Sequence, residues 1–154
     1  MKIRTTYRIM KWFDEFQWDQ DETKMLELYL KLIEEEVDEL DEAIKNKDLV
    51  EILDAIWDIV FVANWYMFFG WEWRKWMETV QFAFNTLSLT NLEQNKYADF
   101  LDELMNVICD SNFTKTKDKQ TEWEKVGKII KWNNFQEPKI VELIEKYSLK
   151  LNDE

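Results

Sequence analysis

Three carboxylates lie inside the most apolar segment of the chain. Residues 49–69 have the sequence LVEILDAIWDIVFVANWYMFF, which contains Glu51, Asp54 and Asp58. No lysine or arginine occurs between residues 47 and 74, so no basic residue nearby in sequence can neutralise these acids. A buried carboxylate without a partner costs several kcal/mol or takes up a proton. The segment therefore predicts a compensating cation from elsewhere.

A second set of acids precedes this segment, in the run EEEVDELDE at residues 34–42. At about 100° per residue, Glu36 lies about 80° from the centre of the apolar stripe at Leu26, within the apolar arc, and Glu39 lies on its margin at about 140°. Glu35 is a neighbour of Glu39 but points further toward solvent. For the other acids of the run, a solvated helix face is the favoured interpretation.

Two such helices, antiparallel and joined by a short turn, would pack their acidic faces together. Glu51, Asp54 and Asp58 share one face because they are three and four residues apart. Four or more carboxylates are then expected to converge in an otherwise apolar groove. Histidine is absent and Cys109 is the single cysteine, so a metal must be held by oxygen ligands, as Mg²⁺, Mn²⁺ and Ca²⁺ are.

Composition limits the fold and the function classes. Among 154 residues there are two glycines and one proline, which favours an all-α helical bundle with the site between the two acidic helices. A net charge of −12 argues against binding nucleic acid through a basic face. The three acids in residues 49–69 argue against a membrane span. The single cysteine and the absence of an apolar signal sequence predict a cytoplasmic protein.

We expect one domain over residues 1–154, with a frayed tail from about 148. A core stripe is predicted through residues 26, 30, 33, 37, 40 and 44, and the third helix, which is apolar all round, is expected to be central and buried. Asp48 is the predicted N-cap of the third helix and Pro138 the predicted first residue of the last helix. A loop is expected at residues 111–128, with a short hairpin within it as the alternative. Helices are predicted near residues 4–17, 25–44, 49–69, 71–89, 96–110 and 138–147.

The two acidic patterns together resemble a known family. EExxE at residues 35–39 followed by ExxD at residues 51–54 resembles the MazG-like all-α nucleoside triphosphate pyrophosphatases. ICDSNFTK at 108–115 resembles the SNMSK-type segment of the phosphoribosyl-ATP-pyrophosphohydrolase-like branch, which is common in bacteria and phages. WFDEFQWD at 12–19 and WNNFQEPKIVELI at 132–144 resemble the opening and closing segments of that branch. Asp14 stands where the opening segment of that branch usually has a histidine, and Trp132 stands where the closing segment has a glycine. Residues 76–97 form a stretch that is longer than usual in that branch.

The resemblance implies Mg²⁺-dependent hydrolysis of a (d)NTP to (d)NMP and pyrophosphate, in a nucleotide-pool or housecleaning role, with Mn²⁺ as a substitute metal. Glu35 and Glu36 would be the catalytic carboxylates, with Glu35 binding metal or orienting the attacking water. Asn112 and Lys115 would contact the phosphates. A homodimer or homotetramer would complete the pocket. The positions that match the family's metal ligands are Glu36, Glu39, Glu51 and Asp54. Asp58, one turn further, would be an outer ligand or a residue that supports the ligands.

Two questions stay open at this point. The aromatic residues that could stack on a base are Phe13, Phe16, Trp18 and Trp57, although aromatics at helical spacing are more often core residues. Base and sugar preference do not follow from the sequence. The alternative function is a non-catalytic acidic helical interaction protein, either a nucleic-acid mimic or a scaffold. The tryptophans at 65, 71, 73 and 76 independently predict an oligomer, because large aromatics are enriched at interfaces.

Overall fold

The computed structural model describes residues 7–12, 22–69, 73–114 and 135–152, and the fold in these ranges is helical. The described part contains no strand, although an isolated bridge joins Thr90 and Leu151. The predicted all-α class is therefore confirmed for these ranges. The α-helices are α1 (7–12), α2 (Glu22–Asn46), α3 (Leu49–Phe69), α4 (Trp73–Asn85), α5 (Tyr97–Asn112) and α6 (Ile140–Tyr147), and 3-10 helices lie at Thr86–Leu89 and Gln94–Lys96.

Helix α2 packs against α3 through one face, and the position of that face determines which acids approach the interior. The fully buried residues of this face are Met25, Tyr29, Ile33, Leu40 and Ala43. Two of them, Ile33 and Leu40, belong to the predicted stripe, while the other four members of that stripe are half-buried. The centre of the buried face is thus rotated by about 65° from Leu26 toward Glu36. Glu36 therefore occupies a core-facing position, three residues after Ile33 and four before Leu40.

A two-residue connection ends α2 and starts α3. Lys47 has a φ of 55°, and its amide donates to the carbonyl of Ile44 at 3.1 Å. The amide of Asp48 donates to the carbonyl of Ala43 at 3.0 Å, which completes a Schellman motif. Asp48 Oδ1 then accepts the amides of the second and third residues of α3 at 3.1 and 3.2 Å. Asp48 is therefore the N-cap of α3, as predicted, and α2 and α3 form an antiparallel hairpin.

Helix α3 is the central helix of the fold and packs against α2, α4, α5 and α6. This confirms the prediction made from its apolar sequence. Residues 51, 54 and 58 form a line along the helix that is exposed at residue 51 and half-buried at the other two. None of the described helices, α3 included, combines the length and the apolar character needed to cross a bilayer. The fully buried residues of α3 are Ile52, Leu53, Ala55, Ile56, Trp57, Ile59, Val60, Phe61, Val62, Ala63 and Trp65.

Several predicted boundaries differ from the structure. The fourth helix ends at Asn85 and continues as a 3-10 helix, rather than as one α-helix to residue 89. Pro138 is not the first residue of α6, because Lys139 has a non-helical backbone (φ −80°, ψ 51°) and the helix can begin only at Ile140. Helix α1 lies within the first predicted helix, whose remaining residues fall outside the described ranges. Most of the predicted loop, from residue 115 onward, also lies outside them.

The tail at residues 148–152 is anchored, whereas we expected it to be frayed. The side chain of Asn91 donates to the carbonyl of Ser148 at 3.1 Å and accepts the amide of Lys150 at 2.9 Å. Asn152 donates its main-chain amide to the carbonyl of Leu89 at 2.8 Å. These partners are about 60 residues away in sequence, so local composition did not reveal them. Residues 153 and 154 lie outside the described ranges.

Candidate functional site

The α2 acids differ in their access to solvent. Glu36 is half-buried, and its carboxylate oxygen Oε2 is fully buried. Glu35 and Glu39 are exposed. The predicted placement of Glu36 within the apolar arc is therefore confirmed, whereas Glu39, which we expected on the margin of that arc, is exposed as Glu35 is. Within the EExxE pattern, Glu36 is the acid that enters the helix interface.

The α3 acids are less deeply placed than the sequence suggested. Asp54 and Asp58 are half-buried, and the residues on either side of each are fully buried. Glu51 is exposed, which corrects the expectation that all three acids lie inside. The physical reason is its position in the first turn of α3, close to the exposed connection at residues 47–48. The two aspartates, unlike Glu51, lie where solvation by water is incomplete.

The hairpin brings four of these acids to the same two turns of the helix pair. Glu36 and Asp58 are nearly equidistant from the connection at residues 47–48, so they lie at about the same height along the pair. Asp54 is four residues closer to the connection, which corresponds to about 6 Å at 1.5 Å per residue. Glu39 lies between these two heights. The antiparallel geometry therefore juxtaposes the motif positions along the axis.

These acids do not form a common centre in the structure. Among the described residues, no three histidine, cysteine, aspartate or glutamate side chains are grouped closely enough to hold a metal ion. The donor chemistry nevertheless fits a hard cation, because carboxylate oxygens are the ligands that Mg²⁺ and Mn²⁺ prefer. The half-buried carboxylates of Glu36, Asp54 and Asp58 lie on two helices that pack against each other. The predicted convergence on a metal stays a prediction.

A cavity of about 270 Å³ lies near the α2–α3 connection and not at the half-buried acids. It contains no carboxylate in its lining, so we do not assign the predicted chemistry to it. Its lining residues are Ile44, Lys47, Ile52, Ser88, Leu89, Leu151 and Asn152.

Of the four aromatic candidates, the structure describes Trp57. Its side chain is 1% exposed and packs edge-to-face on Phe84, with ring centroids 5.9 Å apart and an interplanar angle of 74°. In this arrangement its ring presents no open face to a nucleobase. The other three candidates, at residues 13, 16 and 18, lie outside the described ranges.

The two later motif segments meet in space. The hydroxyl of Ser111 donates to the carbonyl of Gln136 at 2.7 Å, and the amide of Gln136 donates to Thr114 Oγ1 at 2.9 Å. The SNFT residues at the end of α5 are thus joined to the segment that leads into α6. Asn112, a predicted phosphate contact, is 4% exposed at the end of α5. Lys115, the other predicted phosphate contact, lies outside the described ranges.

Two residues of α1 that the sequence analysis did not single out hold this region together. The indole N–H of Trp12 donates to the main-chain carbonyl of Asn112 at 2.9 Å, in the interior. Arg8 donates to Asn106 Oδ1 at 2.7 Å and forms an ion pair with Asp110. The spacing of four residues places Arg8 and Trp12 on one helix face, but partners about 100 residues away could not be read from the sequence.

Arg8 also affects a neighbouring thiol. Burial raises the pKa of the Cys109 thiol to about 11, which the positive charge of Arg8 opposes and the negative charge of Asp110 reinforces. The thiol lies 3.5 Å from the sulfur of Met105 and is 1% exposed. Cys109 is therefore a buried, protonated core residue and not a nucleophile.

Comparison with known families supports the resemblance for the first part of the chain. Residues 10–69 match the family model described as phosphoribosyl-ATP pyrophosphohydrolase, which is part of the MazG-like all-α NTP pyrophosphatase superfamily. The predicted resemblance is thereby confirmed over the segment that contains EExxE and ExxD. The match covers less than half of the chain and ends with α3, so the later motif segments remain interpretations from the sequence. No curated protein and no solved structure matches the chain significantly.

Proposed function

We propose, from the match of residues 10–69 to the phosphoribosyl-ATP pyrophosphohydrolase family, that this chain is a Mg²⁺-dependent nucleoside triphosphate pyrophosphohydrolase. Members of that family are pyrophosphohydrolases. The observation that carries the proposal is the hairpin of α2 and α3, in which Glu36, Asp54 and Asp58 are half-buried on facing motif helices. These carboxylates lie in the same two turns of the hairpin, and a divalent cation bound between them would relieve the repulsion between their charges.

In the proposed reaction a water oxygen attacks the α-phosphorus of a (d)NTP. The bond between the α-phosphorus and the bridging oxygen breaks, pyrophosphate leaves with that oxygen, and a monophosphate remains. Mg²⁺ when bound would neutralise charge that develops on the phosphate oxygens. Glu35, which is exposed beside Glu36, is suited to orient or deprotonate the water. The residues proposed to hold the metal are Glu36, Glu39, Glu51, Asp54 and Asp58.

The phosphate side of the site is proposed at the end of α5. Asn112 carries an amide that can donate to phosphate oxygens, and Lys115 supplies a positive charge. A triphosphate is repelled by an acidic hairpin alone, so cationic groups and bound metal must reverse the sign of the local potential. Lys115 begins a stretch with five further lysines up to residue 131 within a protein of net charge −12.

The proposed assembly is a homodimer or homotetramer. Exposed apolar side chains on α4 and the following 3-10 helix support it, since a second copy could cover them. These side chains are Met77, Phe82 and Leu89, which are 46%, 51% and 41% exposed.

The alternative proposal, a non-catalytic acidic interaction protein, also has support from exposed acids. Glu35, Glu39 and Glu51 are available to a basic partner surface. The half-buried Glu36, Asp54 and Asp58 are not explained by such a role, because a mimic uses charges that a partner can reach. The net charge of −12 by itself fits either proposal.

A nucleotide panel distinguishes the two. Purified protein is incubated with the eight common NTPs and dNTPs and with phosphoribosyl-ATP, with and without Mg²⁺, and pyrophosphate release is measured. Metal-dependent release from at least one compound is the expected result, and the best substrate identifies the base and sugar preference. No release from any compound, with Mg²⁺ or Mn²⁺, would reject the enzyme in favour of the interaction protein.

A further inference from the structure

We propose that Trp12 is a positioning residue, which fixes the position of Asn112 relative to the face of α3 that carries Asp54 and Asp58. This inference rests on the proposed function. Trp12 is 4% exposed, and its indole N–H donates to the Asn112 carbonyl at 2.9 Å. The bond joins α1 to the last residue of α5. Asn112 is itself 4% exposed, so both partners of this hydrogen bond lie in the interior.

Trp12 contacts the acid-bearing helix as well. Its ring packs edge-to-face on Phe61 of α3, with centroids 5.0 Å apart and an interplanar angle of 78°. Phe61 lies three residues after Asp58, on the helix that carries three of the proposed metal ligands. One rigid side chain therefore spans the two parts of the proposed site, and it fixes the separation between α3 and Asn112.

The hydrogen bond also changes the electrostatics at the end of α5. The C-terminus of a helix carries partial negative charge on its last carbonyl groups, which disfavours a nearby phosphate. The carbonyl of Ser111 accepts the amide and the hydroxyl of Thr114 at 2.9 and 2.7 Å. The carbonyl of Asn112 accepts the N–H of Trp12. Trp12 thus offsets negative potential at the residue proposed to meet the phosphates.

The kinetic test compares Trp12→Phe with Tyr147→Phe. Phenylalanine at residue 12 keeps an aromatic contact with Phe61 but removes the N–H donor. We expect KM for the best nucleotide to rise about tenfold with kcat within about twofold of wild type, since one hydrogen bond corresponds to about a factor of ten. Tyr147→Phe removes a different hydrogen bond to α5, the 3.0 Å bond to Glu103, and should leave KM unchanged. An unchanged KM in Trp12→Phe overturns the inference.

Hydrogen exchange separates positioning from general packing. Trp57 is a matched control because it is also a buried indole packed edge-on against a phenylalanine, and its N–H has no hydrogen-bond partner among the described residues. Trp12→Phe should accelerate exchange of the amides at residues 111–114, whereas Trp57→Phe should not. Equal acceleration by both variants, or acceleration spread evenly over α1, α3 and α5, would show that Trp12 serves packing alone.

The outcomes also separate this inference from the proposed function. Wild-type turnover with the same KM in Trp12→Phe rejects the positioning role and leaves the enzyme standing. Absence of turnover in the wild-type protein on every nucleotide rejects the proposed function and the positioning role with it. Wild-type turnover, a raised KM in Trp12→Phe and locally faster exchange at 111–114 together support both.

Discussion

Replacement of Glu36 by glutamine removes one negative charge from the helix interface at nearly constant volume. Glu36 has a fully buried carboxylate oxygen, and it lies level with Asp58 along the hairpin. In the proposed site it is a metal ligand, so the variant should lose metal affinity and turnover together. Glu42→Gln provides the matched control, because Glu42 is exposed on the same helix and lies outside the motif.

The magnitudes follow from the proposed role. A loss of about 4 kcal/mol of transition-state stabilisation lowers kcat/KM by about a thousandfold. Mg²⁺ at one hundred times its dissociation constant stabilises the native protein by about 2.7 kcal/mol. For a domain of this size that corresponds to a rise in Tm of about 5–11 °C. Without metal, Glu36→Gln should match or exceed the wild-type Tm, because one incompletely solvated charge is gone.

The assays are pyrophosphate release and thermal unfolding at several concentrations of Mg²⁺, for wild type, Glu36→Gln and Glu42→Gln. In wild type and Glu42→Gln we expect full activity and a large rise in Tm when Mg²⁺ is added. In Glu36→Gln we expect neither. If Glu36→Gln retains turnover, or if Mg²⁺ raises its Tm as much as that of wild type, the metal assignment is refuted. A metal-free loss of about 3–5 kcal/mol would instead indicate that Glu36 is the structural partner of a cationic side chain.

Three further predictions concern stability and assembly. Ser148→Gly should raise the free energy of unfolding by about 1 kcal/mol, measured by urea denaturation, because Ser148 has a φ of 49° that glycine adopts without steric cost; no gain would contradict this account of the turn. The pKa of the Cys109 thiol is raised from 9.0 to about 11. The contribution of this thiol to the free energy of unfolding is therefore complete below pH 9 and is lost as the pH rises toward 11. Cys109→Ala should therefore flatten the fall in unfolding free energy over that range, and an equally steep fall in the variant would reject this. Light scattering at micromolar concentration should report a dimer or tetramer, and Phe82→Glu, which places a charge at a side chain 51% exposed, should shift it toward monomer; a monomeric wild type rejects the proposed assembly.

The sequence determined the features that depend on neighbours within one or two helical turns. The scarcity of glycine and proline predicted helices, the apolar run predicted a central α3, and Asp48 was identified as its cap because cap bonds reach only three residues. The spacing of the acids also identified Glu36 as the residue within the apolar arc. The family match to residues 10–69 covers this same locally specified part of the chain.

The tertiary structure decided the features that depend on where separate segments meet. The buried face of α2 is centred nearer Glu36 than the sequence stripe indicated, since packing against α3 selects the face. Glu51 is exposed because of its place at the helix start, and Trp57 is enclosed because α4 supplies Phe84. The bond from Trp12 to Asn112 and the anchoring of residues 148–152 by Asn91 join segments 57–100 residues apart. Such contacts follow from the packing of whole helices, because residue type and local spacing specify a donor or an acceptor but not its distant partner.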